Sequence, residues 1–348
     1  MSGAVTKEGM QDVRPGREAV SEVQGSGGKR PRSRGLGRGD GEQPVVGDAT
    51  FRSYYGKPII NKPVWEAPDI AGYLFLGGLA GASSVMAAGA AATGRPALAR
   101  GLKVTSTAAV ALSGVALVHD LGRPARFFNM LRVFKPTSPM SVGSWLLAGY
   151  APFSAGASFS AVTGLLPAIG AVGTAGAALI GPVVATYTAA LVSDTAVPAW
   201  HDGHREMPFV FAASALSAAA GMGMLAAPMP EAGPARMLGV VAGAAELGLL
   251  DVMKRSMGLA KEAFTASEKA HRYERAAQIA TGIGIAAGAV LGKRSRIASA
   301  VAGAGLLVGS ALSRFAIFEA GLESAEDPRY TVVPQRRRLE SRVSSEIS

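Results

Sequence analysis

Three side chains that can carry protons fall inside or at the ends of long apolar runs. Tyr187 and Asp194 are seven residues apart, close to two helical turns, so they share one helical face. Glu246 lies among small residues in the run AGAAELGLL. Ionisable groups within a membrane are costly and usually mark a function or a buried partner. We therefore expect a proton path or a polar wall for a small ligand, with interhelical hydrogen bonding as the structural alternative.

A second polar set lies where the first long apolar run begins, in the segment VWEAPDIAGY. It contains Trp65, Glu66, Asp69 and Tyr73. The last three follow an i, i+3, i+7 spacing, which places them on one face of a helix that starts early. A ligand site is one interpretation. An aromatic belt at the membrane interface, with acidic residues at a helix start, is the other.

The placement of the histidines and the absence of cysteine limit which redox centres this chain can hold. There is no Cys, which excludes disulfides and Cys-ligated iron–sulfur clusters. The few histidines lie outside the centres of the apolar runs, so no pair can hold a haem between facing helices. His201 and His204, in HDGH, lack a third obvious metal ligand. We expect no metal and no covalently bound cofactor.

Residues 119–145, HDLGRPARFFNMLRVFKPTSPMSVGSW, form a basic and aromatic loop between two apolar runs. Its cations are interleaved with large apolar side chains: Arg123, Arg126, Arg132 and Lys135 with Phe127, Phe128, Leu131 and Phe134. A loop that only connects two helices does not need this amphipathic content. We expect this basic aromatic loop to lie at a membrane surface and to contact a partner.

Composition predicts an integral membrane protein that is all-α. The mean hydropathy of the 348 residues is +0.25, and 17% are charged, against roughly 25% in soluble domains. The 45 glycines favour close packing of helices in lipid. About twenty apolar residues span a bilayer. By that rule eight spans, packed as helix bundles, are predicted at about 70–92, 98–118, 141–165, 171–192, 208–226, 235–253, 276–291 and 297–318.

The predicted organisation is a disordered, basic and Gly-rich N-terminal tail (1–62), an eight-helix transmembrane domain (63–320) and a C-terminal tail (321–348). An even number of spans places both termini on one side. Most cations of the loops and tails fall on that side, so we expect both termini in the cytoplasm. The same positive-inside pattern accounts for the net charge of +10 better than nucleic-acid binding does. No signal-peptide pattern is present.

The basic aromatic loop also carries a family resemblance. DLGRPARFFNMLRVFKPTSPMSVGSW resembles the signature loop of the NrfD/PsrC family, the polysulfide-reductase-type membrane subunits of iron–sulfur and molybdopterin oxidoreductases. Similar stretches are YLFLGGLAGASS in the first run, YTAALVSDTAVPAWHDGHREMPFVFAASA across the fourth and fifth, and RFAIFEAG with SAEDPRYTVVPQRRR near the end. The similarity covers about Pro63 to Arg338, and the VVPQR ending is most similar to the actinobacterial branch.

This resemblance implies a quinone-binding anchor in the cell membrane that has no redox centre of its own. Electrons would pass between menaquinone, or another quinone, and a four-cluster ferredoxin-like subunit that serves a molybdopterin catalytic subunit. The implied quinone-binding residues are Trp65, Glu66, Asp69, Tyr73, Asp120 and Arg123. The implied docking residues for the iron–sulfur subunit are Arg126, Phe127, Arg132 and Lys135.

Two other functions remain open from the sequence. A proton- or solute-translocating module is supported by Glu246, Asp194 and Arg314, since acids within a bundle can form proton relays. A passive scaffold with a vestigial site is the third. Neighbouring genes for a ferredoxin-type subunit and a molybdopterin enzyme would favour the electron-transfer subunit. The resemblance implies that the terminal substrate is determined by the catalytic subunit, and the direction of electron flow stays open.

Overall fold

The structure is a computed structural model that describes residues 59–121 and 125–347, and within these every regular element is helical. The all-α prediction is confirmed for this part of the chain. Most of the predicted disordered tail, residues 1–58, lies outside the described residues. Eight helices are 20 residues or longer: α1 (Ala67–Ala92), α2 (Pro96–Asp120), α3 (Pro139–Thr163), α4 (Pro167–Ser193), α5 (Met207–Ala226), α6 (Gly233–Ser256), α7 (Glu268–Val290) and α8 (Arg296–Glu326).

Proline marks where most of these helices begin. Each of α1 to α6 has a proline in its first turn, where the missing N–H has no helical partner to lose: Pro68, Pro96, Pro139, Pro167, Pro208 and Pro234. The end of α3 is set by Gly164, whose φ of 74° allows the left-handed turn that closes a helix. Only Gly164, Leu165 and Leu166 separate α3 from α4, so these two helices run antiparallel.

Five of the helices in the described residues are long and apolar enough to cross a membrane, namely α1, α2, α4, α5 and α8. The protein is therefore a multi-pass membrane protein. The other three predicted spans form helices but do not meet this criterion of length and composition. α3 is rich in Ser and Gly, and α6 and α7 carry charged residues such as Glu246, Asp251 and Arg275.

Pro63–Glu323 forms one compact unit in which small residues bring helices into close contact. A Cβ atom added at Gly81 of α1 would lie 2.3 Å from the carbonyl oxygen of Gly181 of α4. A Cβ added at Gly221 of α5 would lie 2.5 Å from the carbonyl oxygen of Gly303 of α8. Only glycine fits at these two positions, because the backbones of the paired helices lie too close together for a side chain. Small residues at helix crossings are expected for packing in lipid.

The C-terminal segment, which was predicted as a tail, is largely helical in the structure. α8 continues to Glu326, about two turns past the predicted end at 318, and a further helix, α9 (Arg329–Ile347), belongs to a second unit that begins at Ser324. α9 is polar and carries five arginines, a residue type with good helix propensity. The predicted boundaries at 62 and 320 remain predictions.

The alternating direction of the helices decides which residues can meet. The start of α1, the end of α2, the start of α3 and the end of α4 lie at the same end of their group, together with the basic aromatic loop. We call this the loop end. The opposite end, where α1 ends and α2 begins near residues 92–96, is the far end.

Candidate functional site

A pocket opens at the loop end, between the ends of α1 to α4. It encloses about 550 Å³ of space, the open solvent at its mouth included. Its walls are mainly apolar. The lining residues are Trp65, Ile70, Tyr73, Leu117, Asp120, Leu121, Met130, Met140, Ser144, Tyr187, Leu191 and Val192. The structure thus brings Trp65, Tyr73 and Asp120 from the predicted ligand set together with Tyr187 from the predicted proton path.

The polar groups of the pocket come from three different helices. Tyr73 of α1 and Tyr187 of α4 are buried, and Asp120, the last residue of α2, is half-buried. The hydroxyl of Tyr187 has no hydrogen-bond partner within the described protein. Buried polar groups nearly always have a partner, so this hydroxyl is placed to bind a ligand or water. An apolar pocket with a few convergent donors and acceptors suits a flat ring that carries carbonyl oxygens.

Asp69 and Glu66 lie at the start of α1, next in sequence to the lining residues Ile70 and Trp65. Asp69 Oδ2 lies 2.8 Å from His119 Nδ1 on α2, close enough to accept a hydrogen bond from the ring. His119 is exposed and reaches water, whereas Asp69 is largely covered. The pair therefore connects the surface to the rim of the pocket. His119 was not among the predicted site residues, although its position next to Asp120 was a usable signal.

The wall formed by Trp65 continues into the second half of the protein. Its indole stacks on that of Trp200, with centroids 5.8 Å apart and planes 25° from parallel. Trp200 also packs on Phe318 at 5.6 Å and donates from Nε1 to the carbonyl oxygen of Ile317 at 2.9 Å. Trp200 is completely buried and was not among the predicted site residues. Trp200 lies within the stretch YTAALVSDTAVPAWHDGHREMPFVFAASA that carries the resemblance, but its spacing from the other site residues gave no reason to place it at the pocket.

Gly143, on α3, leaves the space that Tyr187 occupies. A Cβ atom at position 143 would lie 2.3 Å from Cε2 of Tyr187, far inside van der Waals contact. We expect Gly143→Ala to displace the Tyr187 ring and to raise the KM for the ligand of the pocket about tenfold or more, since displacements near 1 Å are costly in binding sites. Steady-state kinetics with that ligand measure this. Gly149→Ala on the same helix, where the added methyl meets nothing within 4 Å, is the control. Equal KM values for both variants would contradict the assignment.

The three residues predicted for a proton path do not lie in one cluster. Tyr187 lines the pocket. Asp194 is exposed at the end of α4. Glu246 is buried on α6, where its Oε1 accepts a hydrogen bond from Ser313 Oγ of α8 at 2.7 Å, next to the buried Arg314. Tyr187 and Glu246 thus lie on different helices, α4 and α6, and have different neighbours.

The basic aromatic loop forms a short helix, Arg126–Met130, and an extended segment before α3. Arg126, Arg132 and Lys135 are exposed, and Phe127 is half-buried against Phe128. Arg123 lies outside the described residues. The predicted docking residues thus lie on an accessible surface at the loop end.

Ser141 fixes the end of this loop and borders a second groove. Its Oγ accepts from the backbone N–H of Lys135 and donates to the carbonyl oxygen of Val133, each at 3.0 Å. The groove holds about 560 Å³ and shares Met130, Met140 and Ser144 with the pocket. The loop surface and the pocket are therefore adjacent.

Within the described residues no group of three or more His, Cys, Asp or Glu side chains is placed to hold a metal ion. The candidate site is a mainly apolar pocket that presents a carboxyl group and two phenol groups, with the Asp69–His119 pair at its rim.

Comparison with known proteins agrees with this architecture. No curated protein matches the chain. The family model described as "Polysulphide reductase, NrfD" matches residues 59–233, which is half of the chain and includes the pocket and the basic aromatic loop. The protein, with its apolar helices and its loop-end pocket, belongs to the NrfD family.

Proposed function

We propose that this chain is the quinone-binding membrane subunit of an oxidoreductase complex. It would pass electrons between the quinone pool and a four-cluster ferredoxin-like subunit, which serves a molybdopterin catalytic subunit. NrfD proteins are membrane subunits of quinone-linked oxidoreductase complexes. The observation that carries the proposal is the loop-end pocket. Its walls are mainly apolar, it contains Asp120 and the Tyr187 hydroxyl that has no partner in the described protein, and it lies beside the loop surface.

The pocket can recognise the headgroup of menaquinone or another quinone through two kinds of contact. Trp65 and Leu117 offer flat and apolar surfaces for the ring. The Tyr187 hydroxyl can donate to a carbonyl oxygen, and the Asp120 carboxyl can exchange a proton with it. At the rim, the Asp69–His119 pair can exchange protons with water. Reduction of a quinone consumes two electrons and two protons, and the chain itself supplies only proton-handling groups.

We further propose an orientation in the cell membrane. All eight long helices would cross it, because α6 and α7 also expose apolar side chains at mid-helix, such as Val241 and Ile283. With eight spans, both termini would lie on the side of the basic aromatic loop, and the positive-inside pattern places that side in the cytoplasm. The iron–sulfur subunit would then dock at the loop end, near the pocket.

Replacing Asp120 with asparagine tests the site directly. Asp120→Asn keeps the shape of the side chain but removes proton exchange, so we expect quinone-linked turnover of the purified complex to fall about 10²-fold, the usual contribution of a positioned acid–base group. Asp69→Asn should have a smaller effect, since Asp69 lies at the rim. The measurements are quinone kinetics and co-purification of the partner subunits.

The matched control for these variants is Asp251→Asn. Asp251 lies on α6, where its exposed carboxylate pairs with Arg255, and it is not a lining residue of the pocket. Its replacement should leave turnover unchanged. Normal quinone kinetics in both Asp69→Asn and Asp120→Asn, with the complex assembled, would exclude these site assignments.

A proton- or solute-translocating module is the second candidate. It is favoured by the buried Glu246, Ser313 and Arg314 group, since charged residues in a membrane interior commonly belong to ion pathways. A simple experiment distinguishes the two candidate functions. Purification from the native membrane with an iron–sulfur subunit and quinone-dependent activity supports the first. Isolation of the chain alone, with solute-dependent proton flux in liposomes, supports the second.

A further inference from the structure

One buried face of α1 leads from the pocket to the far end of the bundle. Tyr73, Gly77, Ala80, Ser84 and Ala87 repeat every three or four residues, so they lie in a line along the helix. All five are buried. The line covers 14 residues, about 21 Å at the rise of an α-helix. Except for the tyrosine in the pocket, every side chain on it is small.

Hydroxyl groups from the neighbouring helices lie beside this line, beginning one turn below the pocket. Around Gly77, Ser113 Oγ of α2 and Thr188 Cγ2 of α4 lie 3.8 and 3.9 Å from the position that a Cβ atom would take. Ser113 and Thr188 are fully buried, and neither hydroxyl has a hydrogen-bond partner within the described residues. Ser113 is seven residues before Asp120 on α2 and therefore lies about two turns inward from it, and Thr188 is next to Tyr187 in sequence on α4.

The next turn is occupied by a hydrogen-bonded group. The Tyr150 hydroxyl of α3 donates to the carbonyl oxygen of Ala80 at 2.6 Å and lies 2.7 Å from Ser106 Oγ of α2. Ser106 Oγ lies 2.7 Å from Ser154 Oγ. A tyrosine on a helix points toward the start of that helix, which for α3 is the pocket side. The Tyr150 hydroxyl therefore faces the level of Ser113 and Thr188.

The last turn contains a cavity about the size of one water molecule. Ser84, Ser106 and Ser154 line it together with Lys103 and Thr174. Lys103 is half-buried and lies two turns from the start of α2 at the far end. This cavity therefore lies between the hydroxyl groups and the far surface.

Together these residues form a hydroxyl column, defined as Ser113, Thr188, Tyr150, Ser106, Ser154 and Ser84. A hydroxyl donates and accepts at the same time, so a chain of hydroxyls and water molecules can pass a proton along. Buried hydroxyls without protein partners are normally satisfied by water. Close packing of α1 to α4 would need only small apolar residues, whereas this column places a polar group at each turn.

We propose that the hydroxyl column, with water between its members, carries protons between the pocket and the far end of the bundle. This inference rests on the proposed function. When a quinol is oxidised in the pocket, its two electrons leave through the iron–sulfur subunit at the loop end, and its two protons leave through the column at the opposite surface. Reduction of a quinone reverses both flows. Electrons and protons then use opposite sides, and each turnover separates charge across the membrane.

The test uses the complex of this chain with its iron–sulfur partner, reconstituted in liposomes that contain a trapped pH-sensitive dye. A short-chain naphthoquinol is the donor, and external ferricyanide, which does not cross the membrane, accepts electrons from the partner subunit. Protein-free liposomes correct for direct oxidation. We expect close to two protons released into the lumen for each quinol oxidised.

Ser113→Ala is the most informative variant, because the Ser113 hydroxyl makes no hydrogen bond to the described protein and its loss should not affect folding. We expect proton release and turnover to slow at least tenfold in Ser113→Ala and in Tyr150→Phe, with the KM for quinol unchanged. Tyr273→Phe, which removes a hydroxyl from α7 outside the column, should match the wild type.

Two results would overturn the inference while leaving the proposed function intact. One is normal quinol oxidation with no protons appearing in the lumen. The other is wild-type proton release in Ser113→Ala and Tyr150→Phe. Complete absence of quinol oxidation in the wild-type complex would instead refute the proposed function, and the inference with it.

Discussion

Arg314→Met is expected to lower the free energy of unfolding by about 3–5 kcal/mol, the usual cost of removing one partner of a buried charged pair. Arg314 is 1% exposed on α8, and its guanidinium lies 3.5 Å from the centroid of the Phe211 ring. Its Nη2 donates to the carbonyl oxygen of Phe211 at 2.9 Å. Glu246, which is 2% exposed, is a buried acid on α6 and accepts a hydrogen bond from Ser313, the residue before Arg314. Methionine would fill the space but leave the Glu246 carboxyl without a compensating charge.

The double variant Glu246→Gln with Arg314→Met separates this explanation from simple loss of packing. Removing both charges should restore most of the lost stability, because neither buried charge remains uncompensated. Arg100→Met, at an exposed position of α2, is the control and should change stability by less than about 0.5 kcal/mol. Unfolding of the purified chain in mixed detergent and dodecyl sulfate measures all three. An equal loss in the single and the double variant would contradict a charge-based mechanism.

Much of the fold follows from local sequence signals. The long apolar runs give the eight helices, and the proline near the start of α1 to α6 fixes where each begins within a few residues. Hydropathy alone does not identify α3, α6 and α7 as membrane spans, because these helices carry Ser, Gly or charged residues that lower their hydropathy. Whether such helices cross the membrane depends on which groups their polar residues face in the bundle. A hydropathy window along the sequence gives no information about these neighbours.

The candidate site was partly predictable for a geometric reason. Alternating helix directions bring the start of the first run and the end of the second together, so Trp65, Tyr73 and Asp120 fall at one end. The contacts of Trp200 and His119 depend on how each helix is rotated about its axis. The hydroxyl column depends on the register of α1 against three neighbours. Neither rotation nor register can be read from one sequence.

Gly321→Ala is expected to disturb both the fold and the pocket, because position 321 of α8 faces the indole of Trp200. An added Cβ atom would lie 1.9 Å from both Cε2 and Nε1 of that ring. Trp200 cannot yield easily, since it is fully buried between Trp65 and Phe318 and hydrogen-bonded to Ile317. Overpacking of this kind costs about 1–3 kcal/mol or more. We expect a loss near 3 kcal/mol in the free energy of unfolding.

The position of Trp65 links this packing change to quinone binding. If Trp200 moves, the stacked Trp65 loses its support, and the pocket wall that it forms moves with it. Gly321→Ala should therefore raise the quinone KM as well as lower the stability, whereas Gly248→Ala, where the methyl meets nothing within 4 Å, should do neither. Trp200→Phe combined with Gly321→Ala makes room for the methyl. Recovery of stability without recovery of the KM in this double variant would show that the indole of Trp200, and not only the filled space, holds Trp65 in the pocket wall. Loss of stability in Gly321→Ala with an unchanged KM would contradict the coupling between Trp200 and the site.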